Sequence, residues 1–228
     1  MSLFSELEVE LGPPVAIFAL MKAFNEDTFE KKVNLTAGVY RTAEGKPWVL
    51  PVVRHVERKL ADNDSLNKEY LPILGLESFS IAATTVVNDP EVIPATKSQF
   101  TLIVRGMYSS PPSHGARIVE YVLTNPELLS QWEDHIKTMS SRIIDMRKQL
   151  REALEQLDTP GNWSHLTKHI GMFSYTGLNE IQSEHMVKKH HVYLLCSGRI
   201  SMAGLNPSNV HYVAKAIHET VSSIPSKI

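Results

Sequence analysis

Apolar residues in this chain recur mostly at three- and four-residue spacing, broken by short runs of adjacent apolar residues. Ile17, Leu20, Met21 and Phe24 fall at i, i+3, i+4 and i+7, the spacing of one helix face. Lys32-Val33-Asn34-Leu35 reads as a short buried strand, and residues 42–47 (TAEGKP) as a turn. Helical spacing returns over 48–61 through Val49, Val52, Val53, Val56 and Leu60, and Asp62-Asn63-Asp64-Ser65 breaks it. Residues 67–76 (NKEYLPILGL) are irregular, a short helix is expected at 76–86, and 87–98 (VNDPEVIPATKS), with two prolines, reads as a linker. Phe100, Ile103, Val104 and Met107 predict another helix, and a further short one follows at about 113–124.

The clearest element begins at Asn125-Pro126-Glu127, which supplies a cap, a first-turn proline and an acid near the positive end of the helix dipole. From there Ile136, Met139, Ile143, Met146, Leu150, Leu154 and Leu157 step by three or four, predicting one long amphipathic helix over 126–157. Such a stripe also suits a coiled-coil seam, but packing on the protein's own sheet is the simpler reading. The strand IGMFSYT (170–176) leads to a helix at 179–190, capped by Asn179 with Gln182 three residues on. Val192–Cys196 and Arg199–Ala203 read as two strands around a tight Ser197-Gly198 hairpin turn. Asn206-Pro207 opens a last helix that buries Val210, Val213, Ala214, Ile217 and Val221. The class is mixed α/β, helices against a small sheet.

Composition narrows the function. The chain has 228 residues and a formal net charge of −2. No basic excess is available to neutralise a phosphate backbone, so nucleic acid is not an expected partner. No apolar run approaches the ~18–20 residues of a membrane span. The acidic start (MSLFSELEVELG) fits neither a secretory nor a mitochondrial leader, and Cys196 is the single cysteine, so a cytoplasmic protein is expected. Cys196, beside Leu194 and Leu195 in an expected strand, reads as a buried inert thiol.

Familiar catalytic signatures are missing: GxGxxG, a phosphate loop and GxSxG do not occur. His165 and His169 lie four apart in an expected loop and His190-His191 are adjacent, but no HExxH or CxxC completes a metal set, so no metal is expected. Two arginines carry more interest. Arg199 follows the hairpin turn, and Arg105 precedes a proline-rich turn. A guanidinium forks onto a carboxylate through two parallel hydrogen bonds, and two facing forks would select a dicarboxylic acid. Spacing alone favours the plainer reading, in which each pairs with a surface acid.

Several long strings carry a resemblance to a known family. VELGPPVAIFALMKAFNEDTFEKKVNLTAGVYRTAEGKPWVLPVV (9–53) and NKEYLPILGL (67–76) are similar to the amino-terminal part of aspartate aminotransferases. VRGMYSSPPSHGARIV (104–119), IGMFSYTGL (170–178) and VYLLCSGRISMAGL (192–205) resemble their carboxyl-terminal half. The strings run in family order, cover nearly the whole chain, and are nearest to the animal cytosolic and mitochondrial enzymes. The resemblance implies a fold-type I, pyridoxal phosphate-dependent homodimer that exchanges the amino group of aspartate with 2-oxoglutarate, giving oxaloacetate and glutamate. By the same resemblance Arg199 grips the substrate α-carboxylate, Arg105 reaches the distal carboxylate across the dimer, Gly38 lies beside the substrate and Phe173 belongs to the site wall. Tyr70 would bond the cofactor phosphate of the neighbouring subunit.

The departures are as informative. Between about 88 and 98 the family has a central block with the Gly-Thr-Gly phosphate loop, the ring-stacking tryptophan and the asparagine and tyrosine at the ring hydroxyl. The same block holds the aspartate on the pyridine nitrogen and the Schiff-base lysine, and nothing like it stands at that point of this chain. Ser110 replaces the usual asparagine before Pro-Pro, and Ala37 the usual valine. Lys46, Lys68, Lys188 and Lys189 all read as solvated, so no substitute lysine and no catalytic residue is assigned. The expected organisation is an arm at 1–14, a small domain formed by 15–47 and 125–228, and large-domain remnants at 48–124 with the junction near 88–98. The apolar faces of Val49–Val56 and Phe100–Met107 should then be exposed or repacked. Three roles fit: a family enzyme inactive alone but able to pair with a full-length subunit, a non-catalytic dicarboxylate- or partner-binding protein, or a deletion or splice product.

Overall fold

The computed structural model describes residues 15–67, 69–87, 93–108 and 111–224. Its elements in chain order are α1 (Ala16–Glu26), β1 (Val33–Asn34), α2 (Pro51–Ala61), α3 (Glu77–Val87), α4 (Ile93–Met107), α5 (Ser113–Thr124) and α6 (Pro126–Gln156). There follow α7 (His165–Lys168), β2 (Phe173–Tyr175), α8 (Glu180–His190), β3 (Val192–Tyr193), β4 (Arg199–Ser201), a 3-10 turn at Met202–Gly204 and α9 (Val210–Ser223). The chain divides into two compact units, Met1–Trp48 with Met139–Ile228 and Val49–Thr138.

The first unit is mixed α/β. β1 pairs in parallel with β3 (Val33 opposite Val192), and β2 pairs antiparallel with β4 (Phe173 opposite Ser201, Tyr175 opposite Arg199). Ser201 N–H donates to Leu35 C=O at 2.8 Å, so the backbone of β4 also bonds to the end of β1. Met146, Leu150 and Leu154 of α6 lie fully buried in one core with Met186, Val213 and Ile217 of the last two helices and Leu35, Leu194 and Ile200 near the strands. Only the middle of the predicted stripe is covered: Ile136 and Leu157, near its ends, stay more than a third exposed. Asn179 and Gln182 form the full reciprocal cap that their spacing predicts, which satisfies two amide donors at the start of α8.

Three expectations for the first unit need correction. Val192–Cys196 and Arg199–Ala203 are not a hairpin, because β3 and β4 take different partners in two separate two-stranded sheets. The turn between them is real, closed by Gly198 N–H on Leu195 C=O at 2.9 Å. Cys196 is exposed, not buried: β3 stops at Tyr193, and the turn carries the thiol to the surface. Residues 165–168 are a short helix rather than a loop.

The second unit is helical among its described residues. Val52 and Val56 of α2 are fully buried against Val122 of α5 and Leu128, with Ile118 and Trp132 at the edge. That face has therefore repacked, whereas Phe100, Leu102, Ile103 and Met107 of α4 remain more than half exposed. The expected linker at 87–98 is helical from Ile93, with Pro94 in the first turn where a missing N–H costs nothing. Residues 88–92 of the expected junction lie outside those described.

A polar clasp closes the end of α1. Asp27 accepts from Phe29 N–H at 2.8 Å, from His191 Nδ1 at 2.7 Å and from Tyr193 OH at 2.8 Å. The Phe29 amide first, and then the bonds from His191 and Tyr193, hold the Asp27 carboxyl down at about 2 despite opposing desolvation. Burial first, then the bond to Asp27, pushes the Tyr193 phenol up to about 12.

Two outcomes follow from this packing. Leu154→Ala is expected to lower unfolding free energy by about 2–5 kcal/mol in urea titration, whereas Ile181→Ala, at an exposed position, should change it by less than about 0.5 kcal/mol. Because the folded Asp27 pKa lies below the unfolded one, its contribution is present above about pH 4 and lost as pH falls toward 2. Thermal melts of Asp27→Asn should accordingly show a shallower loss of Tm across that window than the parent protein.

Candidate substrate-carboxylate site

Arg199 is placed by the turn before it. Gly198 has φ +76°, and a Cβ there would stand 2.5 Å from Leu178 C=O, so only glycine lets the chain turn this tightly. Thr176 N–H donates to Gly198 C=O at 3.0 Å, which fixes the strand register that starts β4 at Arg199. The Arg199 guanidinium carbon then sits 4.6 Å from the centroid of the Phe173 ring, two residues along the facing strand from its partner Tyr175. A cation over an aromatic face is held by the ring quadrupole while its N–H edge stays available.

Among the described residues the Arg199 side chain forms no ion pair and no hydrogen bond, so the plain reading in which it pairs with a surface acid does not hold for them. Gly38 approaches Phe173 from β1's side: a Cβ at Gly38 would stand 2.9 Å from both Phe173 Cζ and Met172 Sδ. Gly38, Phe173 and Arg199 thus come together in the first unit. Tyr70 and Arg105 lie in the second unit, where Tyr70 is 91% exposed and Arg105 is an exposed residue in the last turn of α4. Ser110 lies outside the described residues.

Arg147 was not singled out by its sequence, although a signal was present. It falls at the spacing of Ile143, Leu150 and Leu154, on the buried face of α6. The side chain is only 3% exposed. Its Nη1 donates to Leu166 C=O at 2.8 Å and Ser174 Oγ at 3.3 Å. Its Nη2 donates to Gly171 C=O at 2.8 Å and Phe173 C=O at 2.7 Å. One guanidinium therefore ties the whole segment 166–174 to α6 and fixes the backbone that carries Phe173. No carboxylate pairs with it among the described residues, and burial lowers its pKa below the ordinary arginine range.

Among the described residues no lysine is buried in a site of the kind that the resemblance implies. Lys22, Lys148, Lys188 and Lys215 are each within 4 Å of a glutamate one helical turn away, on exposed faces. Lys32 is used on the carbonyls of Phe24 and Asp27. Lys46 and Lys189 are exposed. Serine and lysine do recur at the Schiff-base spacing, once, at Ser65 and Lys68, but in the amino-terminal string rather than in a central block, and Lys68 lies outside the described residues. Among the described residues no three metal-ligating side chains cluster, and no helix is long and apolar enough to cross a membrane.

The two sheets, the helices against them and an arginine at the mouth of β4 define a mixed α/β fold of the fold-type I aminotransferases. The chain belongs to the aminotransferase class I and II family, whose model matches residues 75–217. It is 28% identical to the cytoplasmic aspartate aminotransferase of Gallus gallus over 403 aligned positions, which cover 95% of this chain and 98% of the relative. It is 47% identical to that of Dictyostelium discoideum over 157 positions, 68% of this chain and 36% of the relative. The structure superimposes on the cytoplasmic aspartate aminotransferase of Saccharomyces cerevisiae with a TM-score of 0.85 at 24% identity, covering 97% of this chain and 99% of that one. An alignment of 403 positions for a chain of 228 residues has to bridge a long gap.

Replacing Arg147 by methionine would leave buried carbonyls of the 166–174 segment without donors, each costing about 1–3 kcal/mol. Arg147→Met is expected to lose at least about 3 kcal/mol of stability by urea titration. Hydrogen exchange should show the added opening concentrated at the amides of 166–174.

Proposed function

We propose that this chain is an aspartate aminotransferase-family protein that binds dicarboxylic amino or keto acids but does not transaminate alone. The observation that carries this reading is the Arg199 guanidinium, seated on the Phe173 ring beside Gly38 with no acid to neutralise it among the described residues. A carboxylate arriving there would accept two parallel charge-assisted bonds, each contributing about 1.5–3 kcal/mol net. Phe173 would keep the guanidinium plane aligned, and the bare backbone at Gly38 leaves room for the ligand carbon beside it. Arg105 would supply the second carboxylate contact, and Tyr70 the phosphate contact, in an assembled dimer. In this family pyridoxal phosphate supplies the electron sink, and a lysine covalently holding it moves the proton. The lysine-bearing block has no counterpart here, so the reading assigns binding and orientation to these residues and assigns proton transfer to none. A cytoplasmic location belongs to the same reading, since the relatives are named cytoplasmic.

A second reading is favoured by the α4 surface, where Leu102 is 70% and Met107 74% exposed. It is the pairing of this chain with a full-length aminotransferase subunit, which would bring Tyr70 and Arg105 to the partner's site. Native mass spectrometry of co-expressed chains should then show a mixed dimer whose activity exceeds that of the full-length homodimer present. No mixed species, or no added activity, rejects it.

For the main reading, calorimetric titration with maleate should show saturable binding that Arg199→Ala weakens at least about tenfold. Phe173→Leu should weaken it less. Equal maleate affinity in Arg199→Ala and the parent would reject the site.

A further inference from the structure

A second cationic feature lies beside the segment that carries Phe173. A groove of about 620 Å³ runs between α6 and residues 167–172. That volume is within the range of small-molecule sites, about 300–1,000 Å³. One wall is aliphatic: Ile143, Ile144, Ile170 and Met172 line it, and Ile144 and Ile170 are 67% and 93% exposed. Large aliphatic side chains left this open in one contiguous strip mark a surface that gains free energy when covered.

The rest of the lining gives the occupant its charge. Arg147, Lys148 and His169 contribute to it, and no acidic residue does. Lys148 lies 3.9 Å from Glu152, an exposed pair one turn along α6 and outside the lining. Arg147 is the stronger argument. It is a cation 97% removed from solvent whose four acceptors are all neutral, and its Nε has no partner at all. A buried charge is ordinarily offset by an opposite one, because the low dielectric leaves an uncompensated ion costly. Nothing among the described residues supplies that counter-charge, and Arg147 lines the groove.

We propose that this groove binds an amphiphilic monocarboxylate, with its head group in the field of Arg147 and Lys148 and its aliphatic chain along Ile143, Ile144, Ile170 and Met172. The apolar wall selects for a chain, and the two cations select against neutral and cationic head groups of the same length. The site is separate from Arg199, which binds by a fork to a small diacid, so the two ligands should not compete.

Calorimetric titration of the full chain with octanoate, octanol and octylamine tests this. Octanoate is expected to bind saturably with one site per chain, octanol at least tenfold more weakly, and octylamine not detectably. Ile144→Glu, at an exposed position, should weaken octanoate at least tenfold with an unchanged circular dichroism spectrum, and Lys148→Glu should do the same should the first variant fail to fold. Arg199→Ala should leave octanoate affinity unaltered, whatever it does to maleate. No saturable octanoate binding, equal affinity for octanol, or unchanged affinity in both charge variants would overturn the assignment. So would sedimentation showing that Ile144→Glu turns a dimer into a monomer while octanoate fails to bind, since the groove would then be an interface between copies.

Discussion

The first unit depends on a single buried cation. Arg147 reaches from the middle of α6 into a ring of carbonyl and hydroxyl oxygens drawn from four residues of one segment. Burying a guanidinium costs several kcal/mol unless its donors are engaged, and here Nη1 and Nη2 make four bonds, to three backbone carbonyls and the Ser174 hydroxyl. The consequence travels outward in short steps. With residues 166–174 fixed to α6, β2 is held where β4 can pair with it, Gly198 can turn tightly, and Arg199 emerges over Phe173. The same fixed segment presents Met172 and Phe173 to the bare α-carbon of Gly38. The buried Arg147 charge thereby decides where the Arg199 guanidinium stands.

Much of this was legible in the order of residues, and the failures have physical causes. The long helix, the capped start of α8 and the short strand at Val33 follow from local spacing and capping chemistry, which tertiary packing did not override. Strand pairing is not local. The turn at Ser197-Gly198 was visible, but whether its flanking strands pair with each other or with distant segments depends on β1 and β2, far back in the chain. Cys196 was misplaced for the same reason, since a strand two residues long leaves it on the turn. Arg147 was not singled out, yet its spacing from Ile143 and Leu150 puts it on the buried face. Counting positions by face rather than by residue type would have found it.

The second unit has a small helical core and one uncovered helix face. Val52 and Val56 find cover against α5, so that part forms a small core of its own. The α4 face does not, and Phe100, Leu102 and Met107 stay open. The alignment with the Gallus gallus relative runs nearly from end to end of both chains across a long gap. Under the proposed function, gripping a carboxylate needs only Arg199 on its aromatic platform, whereas transfer of an amino group needs an amine placed to hold the coenzyme and carry a proton.

One assay distinguishes binding from turnover. The purified chain, expressed in a host lacking its own aspartate aminotransferases, is supplied with pyridoxal phosphate, aspartate and 2-oxoglutarate, and oxaloacetate is followed by coupled reduction. The account predicts no oxaloacetate above the rate given by free pyridoxal phosphate. Sustained turnover above that rate, abolished by Lys68→Ala or by replacement of any other single lysine, would contradict it.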